Sequence, residues 1–233
     1  NLAYPAPCHS ATNAFRSVIS NRQLDRYDVH PHTSLNMAYQ YLFPVIAYLI
    51  GSISSAIIVS KLFRLNDPRK VGSGNAGATN VLRSGNKFAA LLTLIGDVLK
   101  GAIPVWLAQT YDASYGIIGL CALAALLGHI FPVYFNFKGG KGVATCLGIF
   151  IALMPLMAVI IIVIWLLVAA ISRYSSLAAL IAAAAAIPMS FIFFDGMTYV
   201  GVSFALVALL MLKHRDNIDR LKTGTESKIS FDD

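Results

Sequence analysis

The chain has 233 residues, 57% of them hydrophobic and only 12% charged, with a mean hydropathy of +0.69. A charged share about half that of an ordinary soluble domain excludes a water-soluble globular protein. The formal net charge of +7 does not point to nucleic acid. The basic residues lie in short loops between apolar segments, as on the cytoplasmic face of a membrane protein.

Residues 1–36 differ from the rest. They are polar, carry Arg16, Arg22, Asp25, Arg26 and Asp28, and hold no apolar run long enough for a signal peptide. His9, His30 and His32 are here, but nothing else in the segment completes a metal site. The segment is expected to be a disordered tail, or a translated stretch upstream of a true start at Met37. Residues 37–233 then form a single polytopic domain. Cys8, Cys121 and Cys146 make no disulfide framework; the last two fall in apolar stretches and read as packing residues.

Seven apolar segments follow, at roughly 41–60, 88–108, 115–135, 143–154, 156–171, 177–194 and 197–212. A spanning helix takes about 17–25 residues. The fourth segment is short, so the fourth and fifth have two readings: two helices, or one helix kinked at Pro155. Loop charge decides. With seven spans and the N-terminus outside, the inward loops carry Lys61, Arg64, Arg69, Lys70, Arg83, Lys87, Lys138, Lys141 and Arg173, and the C-terminal end adds Lys213, Arg215, Arg220, Lys222 and Lys228. The outward loops then hold no Lys or Arg. A merged helix would put Arg173 and the basic C-terminus outside. The expectation is an all-α integral membrane fold of seven short helices, with a tight hairpin at Met154 and Pro155 and the C-terminus inside.

Two glycine-rich strings lie on the expected cytoplasmic side. The first, residues 72–80, contains Gly72, Ser73, Gly74, Asn75, Gly77, Thr79 and Asn80, with Arg83 just beyond. Gly72, Gly74 and Gly77 allow positive φ or close approach of a ligand to the backbone. The other residues add side-chain donors, and Arg83 can grip a phosphate in a bidentate way. A flexible turn-rich loop is the plain alternative, but nine consecutive small or polar residues flanked by Arg are more specific. The second string holds Gly139, Gly140, Lys141, Gly142 and Thr145 at the start of the fourth segment. A phosphate there would meet backbone N–H groups, a helix dipole and an ammonium together. It is not a P-loop: Gly142 follows Lys141 where Walker A needs a hydroxyl for magnesium. No metal or cofactor is expected, and activity should survive chelation.

The C-terminal block, residues 213–221, mixes Lys213, His214, Arg215, Asp216, Asn217, Asp219 and Arg220. A solvated basic flank is the plain reading; the variety of polar types suits the edge of a binding site better. His214 and Asp219 have the spacing of another acyltransferase signature, but no further motif of that class follows. Asp97 and Lys100 sit three apart on one face of the second segment, either as functional intramembrane groups or as a mutual ion pair. His129 either lines the site or bonds a neighbouring helix.

Together these blocks resemble the bacterial acyl-phosphate-dependent glycerol-3-phosphate acyltransferases. The resemblance runs from residue 37 to about 222. It also takes in Asp97 with Lys100 and Gly101, Gly128 with His129, and the run Arg173, Tyr174, Ser175, Ser176 and Leu177. Asp216 stands where the family more usually has Glu. The resemblance implies transfer of an acyl group from acyl phosphate to the first hydroxyl of glycerol 3-phosphate, giving lysophosphatidate and phosphate. It implies roles in substrate binding or activity for Ser73, Arg83, Lys141, Ser176, His214 and Asn217. The expected setting is the bacterial cytoplasmic (inner) membrane, with the active site on the cytoplasmic side, a monomer in membrane lipid and no nucleic-acid partner. No Ser-His-Asp arrangement is evident, so the donor's own phosphate is the expected base, with His214 the runner-up. The competing function is a transporter of phosphorylated metabolites, although no inverted repeat is visible.

Overall fold

The structure is a computed structural model that describes residues 39–229. The expected tail, residues 1–36, lies outside the described residues. Helices account for the regular structure among the described residues. In chain order they are α1 (Leu42–Gly51), α2 (Ser55–Leu62), α3 (Ala78–Leu82), α4 (Lys87–Thr110), α5 (Tyr115–Ile130), α6 (Val143–Leu153), α7 (Pro155–Ser172), α8 (Ser175–Phe193), α9 (Met197–Lys213) and α10 (Arg215–Lys222). A 3-10 turn over Val133–Phe135 follows α5.

Local chemistry starts several of these helices. Asn86 accepts a hydrogen bond from the Ala89 N–H at the head of α4, and the Ser114 hydroxyl does the same for Ile117 at the head of α5. Pro155 opens α7, where its missing N–H costs nothing. Only Met154, which leaves the helical region at φ −154° and ψ 87°, separates α6 from α7.

Five segments are long and apolar enough to cross a membrane: Leu42–Leu62 (α1 with α2), Lys87–Thr110, Tyr115–Phe135, Pro155–Ser172 and Ser175–Phe193. A sixth is α9 with α10, bent by 58° between them. The remaining apolar helix, α6, has 11 residues, or about 17 Å of rise against a hydrocarbon core of about 30 Å. The outer faces are those of a lipid-bathed protein. On α7, Val159, Val163, Leu166, Leu167 and Ile171 are all exposed, a load of bare aliphatic surface that water would not tolerate.

In lipid, helices associate by close packing rather than by expulsion of water. Two pairs do so through reciprocal glycines. A Cβ on Gly51 of α1 would overlap the Ala125 carbonyl of α5, and one on Gly128 of α5 would overlap the Tyr48 carbonyl of α1. Gly101 of α4 and Gly148 of α6 repeat the arrangement on the carbonyls of Thr145 and Val98. A Gly148→Val substitution should wedge α4 from α6 and cost about 1–3 kcal/mol. The check is the thermal unfolding midpoint in detergent; an unchanged midpoint would show that the contact is not tight.

The first span is broken. Residues 52–54 leave the helix between α1 and α2, freeing the Ile53 carbonyl at membrane depth. Lys100 of α4 fills the gap, its Nζ donating to that oxygen at 2.9 Å. Irregular backbone inside a membrane needs such an internal partner. Of the two readings of Asp97 and Lys100, the ion pair is present at 2.8 Å, and its lysine also satisfies a broken helix.

Candidate functional site

The first glycine string is anchored by a small apolar cluster of Ala56, Ala76, Val81, Ala89 and Ala90, which ties it to α2 and α4. The buried Asn80 shapes it. Its Oδ1 accepts from the Ser73 N–H at 3.0 Å, and its Nδ2 donates to the carbonyls of Pro68 at 2.6 Å and Val71 at 3.0 Å. Asn80, expected among the phosphate ligands, therefore has both ends of its amide engaged in holding the loop. Gly72 and Gly74 adopt left-handed φ of +57° and +68°, where a side chain would be strained. Gly77, expected to share that freedom, is instead extended at φ −155° as the cap of α3.

The second string turns at Gly142, φ +87°, into the first turn of α6. Gly140 donates its N–H to the His129 carbonyl at 3.2 Å, and Gly74 donates to Val71 at 3.0 Å. With Ser73 also engaged, the backbone donors of these three residues serve the loops themselves. Thr145 is fully buried in the contact between α4 and α6, away from the strings' surface.

Both strings and the C-terminal block meet in one pocket of about 200 Å³. Ser73, Gly74 and Asn75 come from the first string, Gly139 and Lys141 from the second, and Lys213, Asp216 and Arg220 from the end of α9 and from α10. Three cations against one carboxylate make it a site for an anion. Lys141 donates to Asn217 Oδ1. Burial pushes the Lys141 ammonium down to about 8, the nearby Arg220 guanidinium adding to the effect.

Asp216 puts a carboxylate in the pocket that neither string has beside it in sequence. Glu226, outside the lining but bonded to Arg220 within it, was not visible as a site residue. It accepts from Ser176 Oγ at 2.6 Å, Asn217 Nδ2 at 2.6 Å and Arg220 Nε at 2.7 Å. Burial raises its pKa, but these hydrogen bonds from Ser176, Arg220 and Asn217 outweigh that and hold the carboxyl below its ordinary value. The one signal that could have found it is that Glu226 is the only glutamate of the chain. The strap carrying it continues to Ile229, whose N–H donates to the Arg173 carbonyl at 2.7 Å. Lys228 lies over the Tyr174 ring, 5.6 Å from its centroid.

The other expected residues are nearby to different degrees. Thr79 and Ser175 share a hydroxyl contact of 3.4 Å that joins the first string to the head of α8. Arg83 is exposed at the end of α3 and does not line the pocket, though its charge is close enough to depress Lys141. His214, buried between α9 and α10, donates from Nδ1 to the Leu210 carbonyl at 2.8 Å. With Nδ1 donating to that carbonyl, the acceptor lone pair of a neutral ring lies on Nε2. His129 lies beneath Gly140 rather than in the pocket lining. No group of three or more potential metal-ligating side chains occurs among the described residues.

Bare apolar helices around a cationic pocket at one end define a multi-pass membrane protein built to hold an anion. The family described as glycerol-3-phosphate acyltransferase matches residues 41–224, and the chain belongs to that family of acyltransferases. A glycerol-3-phosphate acyltransferase of Methylobacillus flagellatus is 53% identical over 186 residues, covering 80% of this chain and 95% of the relative. One from Bordetella pertussis is 54% identical over 193 residues, covering 79% and 89%. Among solved structures, PlsY (YgiH), an integral membrane glycerol 3-phosphate acyltransferase, is similar in its glycerol 3-phosphate form. Its TM-score is 0.79 at 38% identity, covering 82% of this chain and 96% of that one. The lysophosphatidic acid form of the same protein gives 0.77 at 36%, with the same coverage.

Proposed function

We propose that this enzyme transfers an acyl group from an acyl phosphate to the first hydroxyl of glycerol 3-phosphate, releasing lysophosphatidate and phosphate. The observation that carries the reading is the pocket: three blocks far apart in sequence converge on one small cationic chamber. The glycerol 3-phosphate and lysophosphatidic acid forms of the solved relative fit a substrate and a product of that reaction. Phosphate is already a good leaving group, so the protein need only position the reactants and stabilise charge. Lys141 and the guanidinium of Arg220 supply the charge at the pocket, with Arg83 at its margin. Ser73, Asn75, Gly139 and the turns at Gly72, Gly74 and Gly142 shape the phosphate cradle, while Thr79, Ser176 and Asn217 tie its walls together. The donor's phosphate takes the hydroxyl proton; His214, with Nδ1 engaged by Leu210 and Nε2 left to accept, is the alternative base. A transporter has no support from the family.

Purified protein in detergent, given acyl phosphate and labelled glycerol 3-phosphate, should release labelled lysophosphatidate. The yield should persist after exhaustive chelation, because the cradle uses cations of the chain rather than a metal. Absence of lipid product would overturn the reaction; a strict need for a divalent ion would overturn the phosphate site.

The same convergence, which puts the three blocks on one face, supports seven membrane traverses, and the basic loops assign that face to the cytoplasmic side of a bacterial inner membrane. The contact of Thr79 with Ser175 brings the link between α7 and α8 beside the first string. The chain that leaves at α6 must therefore return by α7, which argues against one merged helix. The match from residue 41 is consistent with a catalytic unit that begins near Met37. In a variant with Cys8 replaced, single cysteines at Ser84 and Asp195 should label from opposite faces; labelling of both from one face rules the topology out.

A further inference from the structure

We infer that the buried cluster Asp97–Lys100–His129 positions the second glycine string, and through it the anion contacts of the pocket. The three side chains are 3–5% exposed and lie outside the pocket lining, yet they form a chain of contacts that ends under the string. Lys100 is fixed at one end by the Ile53 carbonyl at 2.9 Å. Its ammonium stands 2.8 Å from Asp97 Oδ1. That same oxygen faces His129 Nδ1 at 3.8 Å. The far side of the imidazole reaches Gly140: a Cβ on this glycine would overlap His129 Nε2 and come within 2.7 Å of the Ala76 carbonyl of the first string. A Cβ on Gly142 would lie 3.9 Å from His129 Cδ2.

The imidazole is thus a floor for the backbone on both sides of Lys141. The Gly140 N–H, bonded to the His129 carbonyl, clamps the string to the same residue. A buried ion pair contributes little net stability to a fold, since desolvation offsets most of the attraction. Its use here is geometric: the pair stands against the ring without a hydrogen bond to it, and the ring backs the string. Asp97, Lys100 and His129 are positioning residues and touch no substrate.

The inference rests on the reading of the pocket as the substrate-phosphate site, so wild-type acyl transfer to glycerol 3-phosphate is measured first and tests that reading separately. Three variants then test the cluster: His129→Ala, His129→Gln, and the neutral pair Asp97→Asn with Lys100→Gln, in which the Gln amide can still donate to Ile53. Displacing a binding loop by a fraction of an ångström to an ångström costs up to about 100-fold. His129→Ala should raise KM for at least one of the two phosphate substrates about 10-fold or more, with kcat changed less than KM. His129→Gln, whose amide can reach the Nε2 position, should recover part of that loss. The neutral pair should raise the same KM while the thermal midpoint in detergent stays near wild type. Wild-type KM values in the neutral pair and in a folded His129→Ala protein would overturn the inference. So would an equal loss in His129→Ala and His129→Gln, or a loss confined to kcat.

Discussion

Replacement of Lys141 by Ala should cut acyl transfer about 10- to 150-fold while leaving folded protein in the membrane. The figure follows from one charge-assisted contact to a substrate phosphate, worth about 1.5–3 kcal/mol. Lys141 lines the pocket between the two glycine strings and the C-terminal block, and its orientation is set by Asn217. Arg83→Ala should cost less, because that guanidinium is exposed and stands outside the lining. Equal losses in the two variants would mean that Arg83 closes onto the substrate.

The same lysine gives the reaction an alkaline limit. Burial and neighbouring cations bring its ammonium down to about 8. Below that value the group is charged and holds phosphate; above it the charge is lost. The free enzyme's kcat/KM should therefore fall as pH rises through about 8. A Lys141→Arg enzyme, with a guanidinium that stays protonated, should lack this limb at whatever activity it retains. A wild-type profile flat to pH 10 would show that another group carries the anion.

Much of this site is legible in the sequence because its parts are local patterns. A glycine string, a lysine within it and a mixed charged block each announce themselves in fewer than ten residues. The seven apolar segments likewise fall on α1 with α2, α4, α5, α6, α7, α8 and α9. What stays hidden depends on distant partners. Residues 51–54, Gly-Ser-Ile-Ser, read as continuous helix, and the break there is stabilised by an ammonium 47 positions away. Asn80 looks like a ligand because nothing in its neighbourhood reveals that Pro68, Val71 and Ser73 already satisfy it. The polar run 215–222 has only Ile218 and Leu221, three apart, to mark α10 as a helix. Glu226 is hardest, since it stands in a polar stretch with no motif around it and acquires its role only when the strap folds back.

That role sets the second large effect. Glu226→Ala removes the common acceptor of Ser176, Asn217 and Arg220. Asn217 then loses the constraint that turns its Oδ1 toward Lys141, and a guanidinium of the pocket wall is released. Two or three charge-assisted hydrogen bonds at about 1.5–3 kcal/mol each, discounted because Arg220 is 40% exposed, still amount to a loss of several kcal/mol. The variant should unfold at a lower temperature and transfer acyl groups at least about 10-fold more slowly. Glu226→Gln keeps an oxygen for Ser176 and Asn217 but turns the other toward Arg220 as an amide donor, so it should fall between the two. The pH dependence has a definite sign. The folded pKa lies below the ordinary carboxylate value, so the strap's contribution is present above about pH 4.5 and is lost as pH falls through the folded pKa. Thermal midpoints measured from pH 7 down to pH 3 should converge for wild type and Glu226→Ala at the acid end. A constant gap across that range, or no gap at pH 7, would show that the carboxylate does not hold the wall of the site together.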